Sequence, residues 1–212
     1  MAPRVFSDAQ DILGLAAAPD AAQSFEKPVA GTTDFANNEH VLAVNNAQWQ
    51  SYQLASEQAA ELVTGPNGTL PTIYAQTDAA GFIRKIGRRA FRRPLSAEEE
   101  QSYGAIFTVG EAMSGTGTGF SKGAALVIRA MLQSPNFLYR TELGPDGAPL
   151  SGYEVASKLS FWLLGTTPSD SLLDAAAAGQ PGAVAPTRQS PDQVPIAMPP
   201  GGEARVRSQW QW

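Results

Sequence analysis

Apolar side chains recur along this chain at steps of three and four, the spacing that gathers them on one face of a helix. In residues 45–63 the face is Trp49, Tyr52, Ala55, Ala59 and Leu62, and Gly65-Pro66-Asn67-Gly68 stops the pattern in a turn. In residues 77–92 Ala79, Ile83, Ile86 and Ala90 form the apolar face, with Arg84, Lys85, Arg88, Arg89 and Arg92 opposite. Phe120, Ala124, Val127, Ile128 and Met131 mark a helix over 120–133, and Tyr153, Ala156, Leu159 and Leu163 mark another. Alternation at period two is missing, so no sheet is predicted.

Start and stop signals sharpen these segments. Ser7-Asp8-Ala9-Gln10, Ser96-Ala97-Glu98-Glu99 and Ser151-Gly152-Tyr153-Glu154 read as capping boxes, in which a hydroxyl caps the first turn and the third residue on reaches back. They predict helices over 7–17, from 96 to about Met113 through Tyr103, Ile106 and Gly110, and from 151 onward. Ser134-Pro135 starts a short turn, since proline suits the first helical position. Thr167-Pro168-Ser169-Asp170 opens a last helix through Leu172 and Leu173 to Gly179. Pro94 breaks the arginine-bearing helix, residues 20–44 are irregular, and 114–119 form a flexible linker. The expected fold is all-α: an irregular multi-helix bundle of six to eight helices, with a candidate division into two subdomains near 65–75. Beyond Gln180 come Pro181, Pro186, Pro191, Pro195, Pro199 and Pro200 with almost no large apolar residue, which predicts a disordered tail over 181–212.

Composition narrows the chemistry. Of 212 residues 43% are apolar, enough for a sizeable core, and the net charge of −5 argues against a surface that attracts nucleic acid as a whole. The absence of cysteine excludes disulfides, zinc–thiolate sites, iron–sulfur clusters and covalently attached c-type haem within this chain. The start, Met1-Ala-Pro-Arg-Val-Phe-Ser-Asp, has no apolar stretch of signal-peptide kind. No segment approaches the roughly 20 apolar residues of a membrane-spanning helix.

Several segments carry a resemblance. Arg88-Arg89-Ala90-Phe91-Arg92-Arg93-Pro94-Leu95-Ser96-Ala97-Glu98-Glu99 resembles the arginine-rich signature of the bacterial domain of unknown function numbered 1595. Leu132-Gln133-Ser134-Pro135-Asn136-Phe137-Leu138-Tyr139-Arg140-Thr141-Glu142 resembles the signature of its neighbour, numbered 1592, as does the run from Leu150 to Leu163. Asp11-Ile12-Leu13-Gly14, with Phe35-Ala36-Asn37-Asn38 and Tyr52, is similar to a preceding domain numbered 1587. The resemblance divides the chain into 1–74 (1587-like), 75–143 (1595-like), 144–180 (the start of a 1592-like domain) and the tail 181–212. It implies a multidomain protein of planctomycete or myxobacterial type, exported or periplasmic, with c-type haem in an upstream region of some members. It also implies that this chain is truncated at both ends and that the missing domains are its packing partners. The tail, which does not fit the pattern, then reads as a shifted frame or a fragment junction. The family brings no established reaction and no catalytic residues.

Candidate chemistry is sparse. The stripe Arg84, Lys85, Arg88, Arg89, Arg92 and Arg93 reads first as internal, with cations near a helix C-terminus and Glu98, Glu99 and Glu100 downstream to pair them. Its alternative is contact with an anionic partner. His40, the only histidine, lacks companion ligands or a nucleophile and reads as a loop or cap residue. Gly115-Thr-Gly-Thr-Gly119, with Lys122, fails the spacing of phosphate-cradling loops and reads as a linker. Asp34, Glu39, Glu142 and Glu154 are undistinguished as paired catalytic carboxylates, and Asn67-Gly68-Thr69 reads as a turn rather than a glycosylation site. Ser134, Pro135, Phe137, Tyr139, Arg140, Glu142, Tyr153 and Glu154 read as a structural motif. In it Arg140 ties the short turn to a neighbouring helix through a carboxylate, with Phe137, Leu138, Tyr139, Phe161 and Trp162 packing around it. The functional expectation is a non-catalytic helical module of a cytochrome-associated protein. The alternatives are part of a periplasmic oxidoreductase or carbohydrate-acting enzyme whose catalytic parts lie elsewhere, and a binder of acidic polymers.

Overall fold

The computed structural model describes residues 4–21, 46–140, 142 and 149–180. Among these residues the chain forms nine helices and no strand, so it is all-α as its periodicity predicts. In order they are α1 (Arg4–Leu13), α2 (Asn46–Thr64), α3 (Leu70–Ile73), α4 (Ala79–Phe91), α5 (Ala97–Ala112), α6 (Gly119–Leu132), α7 (Pro135–Leu138), α8 (Gly152–Leu163) and α9 (Asp170–Ala177). The four-residue α3 and α7 are single turns with proline in their first turn. His40, Phe35 to Asn38 and the proline-rich 181–212 lie outside the described residues.

Local chemistry sets most boundaries. The boxes at Ser96 and Ser151 form reciprocally: Glu99 N donates to Ser96 Oγ at 3.2 Å while Ser96 N donates to Glu99 Oε2 at 2.8 Å. The same exchange joins Ser151 and Glu154 at 3.3 and 2.7 Å. Thr118, Ser134 and Ser169 cap α6, α7 and α9. The helix start expected at Ser7 is displaced: α1 begins at Arg4, which places Ser7 inside the helix, and Gly14 ends it at φ +60°. A cap that sequence reading passes over is Asp78, whose Oδ1 accepts from Gly81 N at 2.6 Å and starts α4.

Helix α6 is the centre of the main core and packs against α5, α2, α4 and α7. It buries Ala124, Val127, Ile128 and Met131, as expected. The inward face of α2 is rotated from the predicted one. Ala55, Ser56, Ala59, Ala60 and Val63 are buried, while Trp49 and Leu62 are exposed. Small residues win because they let α2 and α6 approach closely, whereas a face of Trp49 and Leu62 would hold the helices apart. In α8 the inward residues are Ala156, Ser157, Ser160 and Phe161, and the predicted Leu163 faces out.

The α5–α6 contact is glycine-mediated. A Cβ on Gly110 would lie 2.8 Å from both Gly123 Cα and Lys122 O, and one on Gly123 would lie 2.7 Å from the Phe107 ring. Both obstacles at Gly110 are backbone, so Gly110→Ala must push the helices apart. Overpacking of this kind costs about 1–3 kcal/mol and outweighs the ~1 kcal/mol that alanine gains in helix propensity. We expect a lower urea midpoint; an unchanged one would show that α5 and α6 separate freely.

One core cluster runs from Ala9 in α1 to Phe137 in α7, so the division expected near 65–75 is not a break in the core. Residues on both sides of it, Val63 and Phe82 among them, join the same cluster. The second cluster is small: Ala156, Leu172 and Ala176, with Tyr153 against them, hold α8 to α9. Gly152 permits this pairing, since a Cβ there would lie 2.6 Å from Ala176 O. Phe161 and Leu173 are also buried on these helices, outside that cluster, so the pair hides five apolar side chains in all, few for two helices, and the polar joint between the two clusters adds to them.

Candidate functional site

The end of α4 supplies that joint. Of the six stripe cations, Arg84 stays at the periphery, 3.5 Å from Glu100 and well exposed, a pair of little energetic weight. Lys85 holds its ammonium 5.9 Å from the Tyr74 ring centroid. Arg93 forms the pairing expected from sequence, donating twice to Glu99 at 2.8 Å. That contact holds the Glu99 carboxyl below the usual carboxylate range.

Arg88 and Arg89 do not turn to the glutamates after Pro94. Arg88 bonds Asp174, and Arg89 bonds Asp170 with both Nε, at 3.2 Å, and Nη2. Asp170 and Asp174 stand one turn apart on α9, so the two arginines clamp one helix face. Arg89 also accepts at its carbonyl from Thr167 Oγ1, at 3.3 Å. Thr166, in the same loop, donates its hydroxyl to Asp11 of α1, and Ser160 Oγ donates to Thr166 O at 2.8 Å. The Arg89 bonds come first among the causes that lower the Asp170 pKa.

Arg92 departs furthest from expectation. Placed by sequence opposite the apolar face, it is 5% exposed and stands just past α4 at φ +59°, the left-handed conformation that usually belongs to glycine. From there its guanidinium donates to the carbonyls of Asn136 at 2.6 Å, Tyr139 at 2.9 Å and Phe137 at 3.3 Å. Helix α7 is a single turn with few internal bonds, and Arg92 satisfies the carbonyls at its end. Burial pushes the Arg92 pKa down to about 10, while Asp8 opposes that shift; the group stays cationic at neutral pH.

The tie that sequence reading gives to Arg140 is therefore made by Arg92. Arg140 is exposed and lies 4.4 Å from the Phe161 ring centroid, meeting an aromatic face rather than a carboxylate among the described residues. Phe137 is buried as expected, but Tyr139 and Trp162 are exposed, the latter at 66%. Glu142 pairs with Lys158 at 3.0 Å. Ser134 caps α7, Pro135 starts it, Tyr153 packs on the small α8–α9 cluster and Glu154 completes its capping box. Asp170 and Asp174 were not distinguishable in the sequence. Their one-turn spacing marks a common face, but nothing in it points to arginines more than eighty positions away.

A cavity of about 260 Å³ opens beside the joint, lined by Arg92, Arg93, Tyr139, Arg140, Tyr153 and Glu154 among others. Among the described residues no group of three or more histidine, cysteine or acidic side chains is placed to hold a metal ion, and no helix is long and apolar enough to cross a membrane.

No curated protein and no solved structure matches the chain. Two family models do. The second runs to residue 189, so the family pattern continues past Gln180, where the helical periodicity ends. Residues 78–142, holding the whole of α4 to α7, match the family described as PSD5, a protein of unknown function (DUF1595), and residues 150–189, beginning just before α8, match PSD4, a protein of unknown function (DUF1592), so the arginine joint lies where the chain passes from similarity to one family to similarity to the next.

Proposed function

We propose that this chain is a non-catalytic helical module that fixes the start of its DUF1592-like segment rigidly against its DUF1595-like segment. The clamp of Arg88 and Arg89 on Asp174 and Asp170 carries the reading. It uses the two central cations of the stripe on the chain's own acids, which favours the internal role over binding of acidic polymers. In this reading the module belongs to a longer, exported, cytochrome-associated protein. Trp162 and Leu163, exposed on α8, are then surface offered to further helical domains of that protein.

The test is amide hydrogen exchange on the full chain. Asp170→Asn combined with Asp174→Asn should lose protection in α8 and α9 while α2, α5 and α6 keep theirs. Acid should do the same. The Asp170 pKa is lowered in the fold, so its contribution is present above an unfolded value of about 4 and is lost as pH falls through the lower folded value. Unaltered protection of α8 and α9 in the double variant would show that the clamp does not hold the joint.

A further inference from the structure

The cavity at the joint is lined by none of the four residues of the clamp. Its walls come from three places: Arg92 and Arg93 after α4, Tyr139 and Arg140 after α7, and Tyr153 and Glu154 in the first turn of α8. Three guanidinium groups converge there, and Arg93 and Arg140 both act on Arg92 as like charges. Two are balanced. Arg93 grips Glu99 with two bonds, and Asp8 offsets Arg92. Arg140 is different: its described contact is the Phe161 ring, with no carboxylate among the described residues bound to it.

Glu154, the acid on the cavity wall, has one oxygen committed to Ser151 N at 2.7 Å. An arginine with no bonded carboxylate among the described residues, on a wall that also carries the Glu154 carboxylate, suits a single negative charge better than a dianion. The remaining lining is aromatic and hydroxylic: Phe91, Tyr139 and Tyr153 stand beside Ser151 and Ser157. A guanidinium matches a carboxylate in a planar, two-bond geometry. A volume of about 260 Å³ admits a body of a few heavy atoms behind it.

We infer that this cavity binds a small organic monocarboxylate, its charged end on Arg140 within the field of Arg92 and its apolar body against Tyr139, Tyr153 and Phe91. This goes beyond the mechanical role and stands or falls separately from it, since Arg140 takes no part in the clamp.

The probe is benzoate, titrated into the full chain and followed by amide chemical shifts. Saturable binding is expected, with shifts centred on residues 139–140 and 151–157. Arg140→Met keeps the apolar contact with Phe161 and should weaken binding about tenfold, the effect of losing one charge-assisted bond pair. Arg140→Lys, which keeps the charge, should lose about threefold through its poorer geometry. Arg84→Met, on the far part of the stripe, should bind as the unaltered chain does. No saturation by ~10 mM benzoate would overturn the inference, since affinity weaker than that is below one arginine pair. So would equal binding by Arg140→Met. Inorganic phosphate binding as tightly as benzoate would overturn the monocarboxylate assignment.

Discussion

Phe82→Ala is expected to destabilise the chain by about 3–5 kcal/mol, the range for emptying a buried aromatic site. Phe82 is fully buried on α4, and its ring lies 5.7 Å from Tyr74, 5.8 Å from Phe120 and 6.4 Å from Phe107. Those rings belong to the end of α3, the start of α6 and the middle of α5, so the space left opens where four elements meet. The neighbours cannot easily collapse into it. Phe107 is fixed against Gly123, and Tyr74 is held by its hydroxyl to Asp78. For a chain of this size the loss corresponds to a fall in Tm on the order of 10 °C. Phe82→Leu, which keeps most of the volume, should lose about 1–2 kcal/mol. A loss below about 1 kcal/mol for Phe82→Ala in urea unfolding would mean that the aromatic cluster closes over the gap.

The second large effect is expected at Arg92. Arg92→Ala removes three donors from carbonyls at the end of α7, and a buried carbonyl left unpaired costs about 1–3 kcal/mol. Removing the buried cation recovers part of this, because its desolvation penalty also disappears. We expect a net loss of about 3 kcal/mol in urea unfolding. The backbone gives a sharper check. At φ +59° a Cβ is unfavourable by about 1 kcal/mol, so Arg92→Gly should be the milder substitution of the two. Were alanine the better tolerated, the left-handed geometry at this position would be wrong. Were neither destabilising, α7 would not depend on the arginine at all.

Much of the helical architecture is legible in the sequence because its causes are local. The Ser96 and Ser151 boxes, the proline turn at Ser134-Pro135 and the apolar faces of α4 and α6 each depend on side chains within one or two turns. The misreadings have local competitors. Ser7 has a capping pattern, yet the preceding residues also take helical form. Trp49 and Leu62 have the right period, but alanines one step round the helix allow α2 to lie closer to α6. The candidate site was half legible. Arg93 finds the nearby Glu99 as its position implies, whereas Arg88, Arg89 and Arg92 find partners forty-four or more positions away.

The sequence by itself determines that this chain folds as helices, and roughly where each starts and stops, because capping, helix propensity and periodicity act within a few residues. Only the tertiary structure decides which arginine is buried, which acids the stripe meets and where a cavity remains. Those outcomes depend on how close two helices can approach. That distance is set by glycines such as Gly110, Gly123 and Gly152 acting on surfaces distant in the chain, and no local pattern encodes the partner.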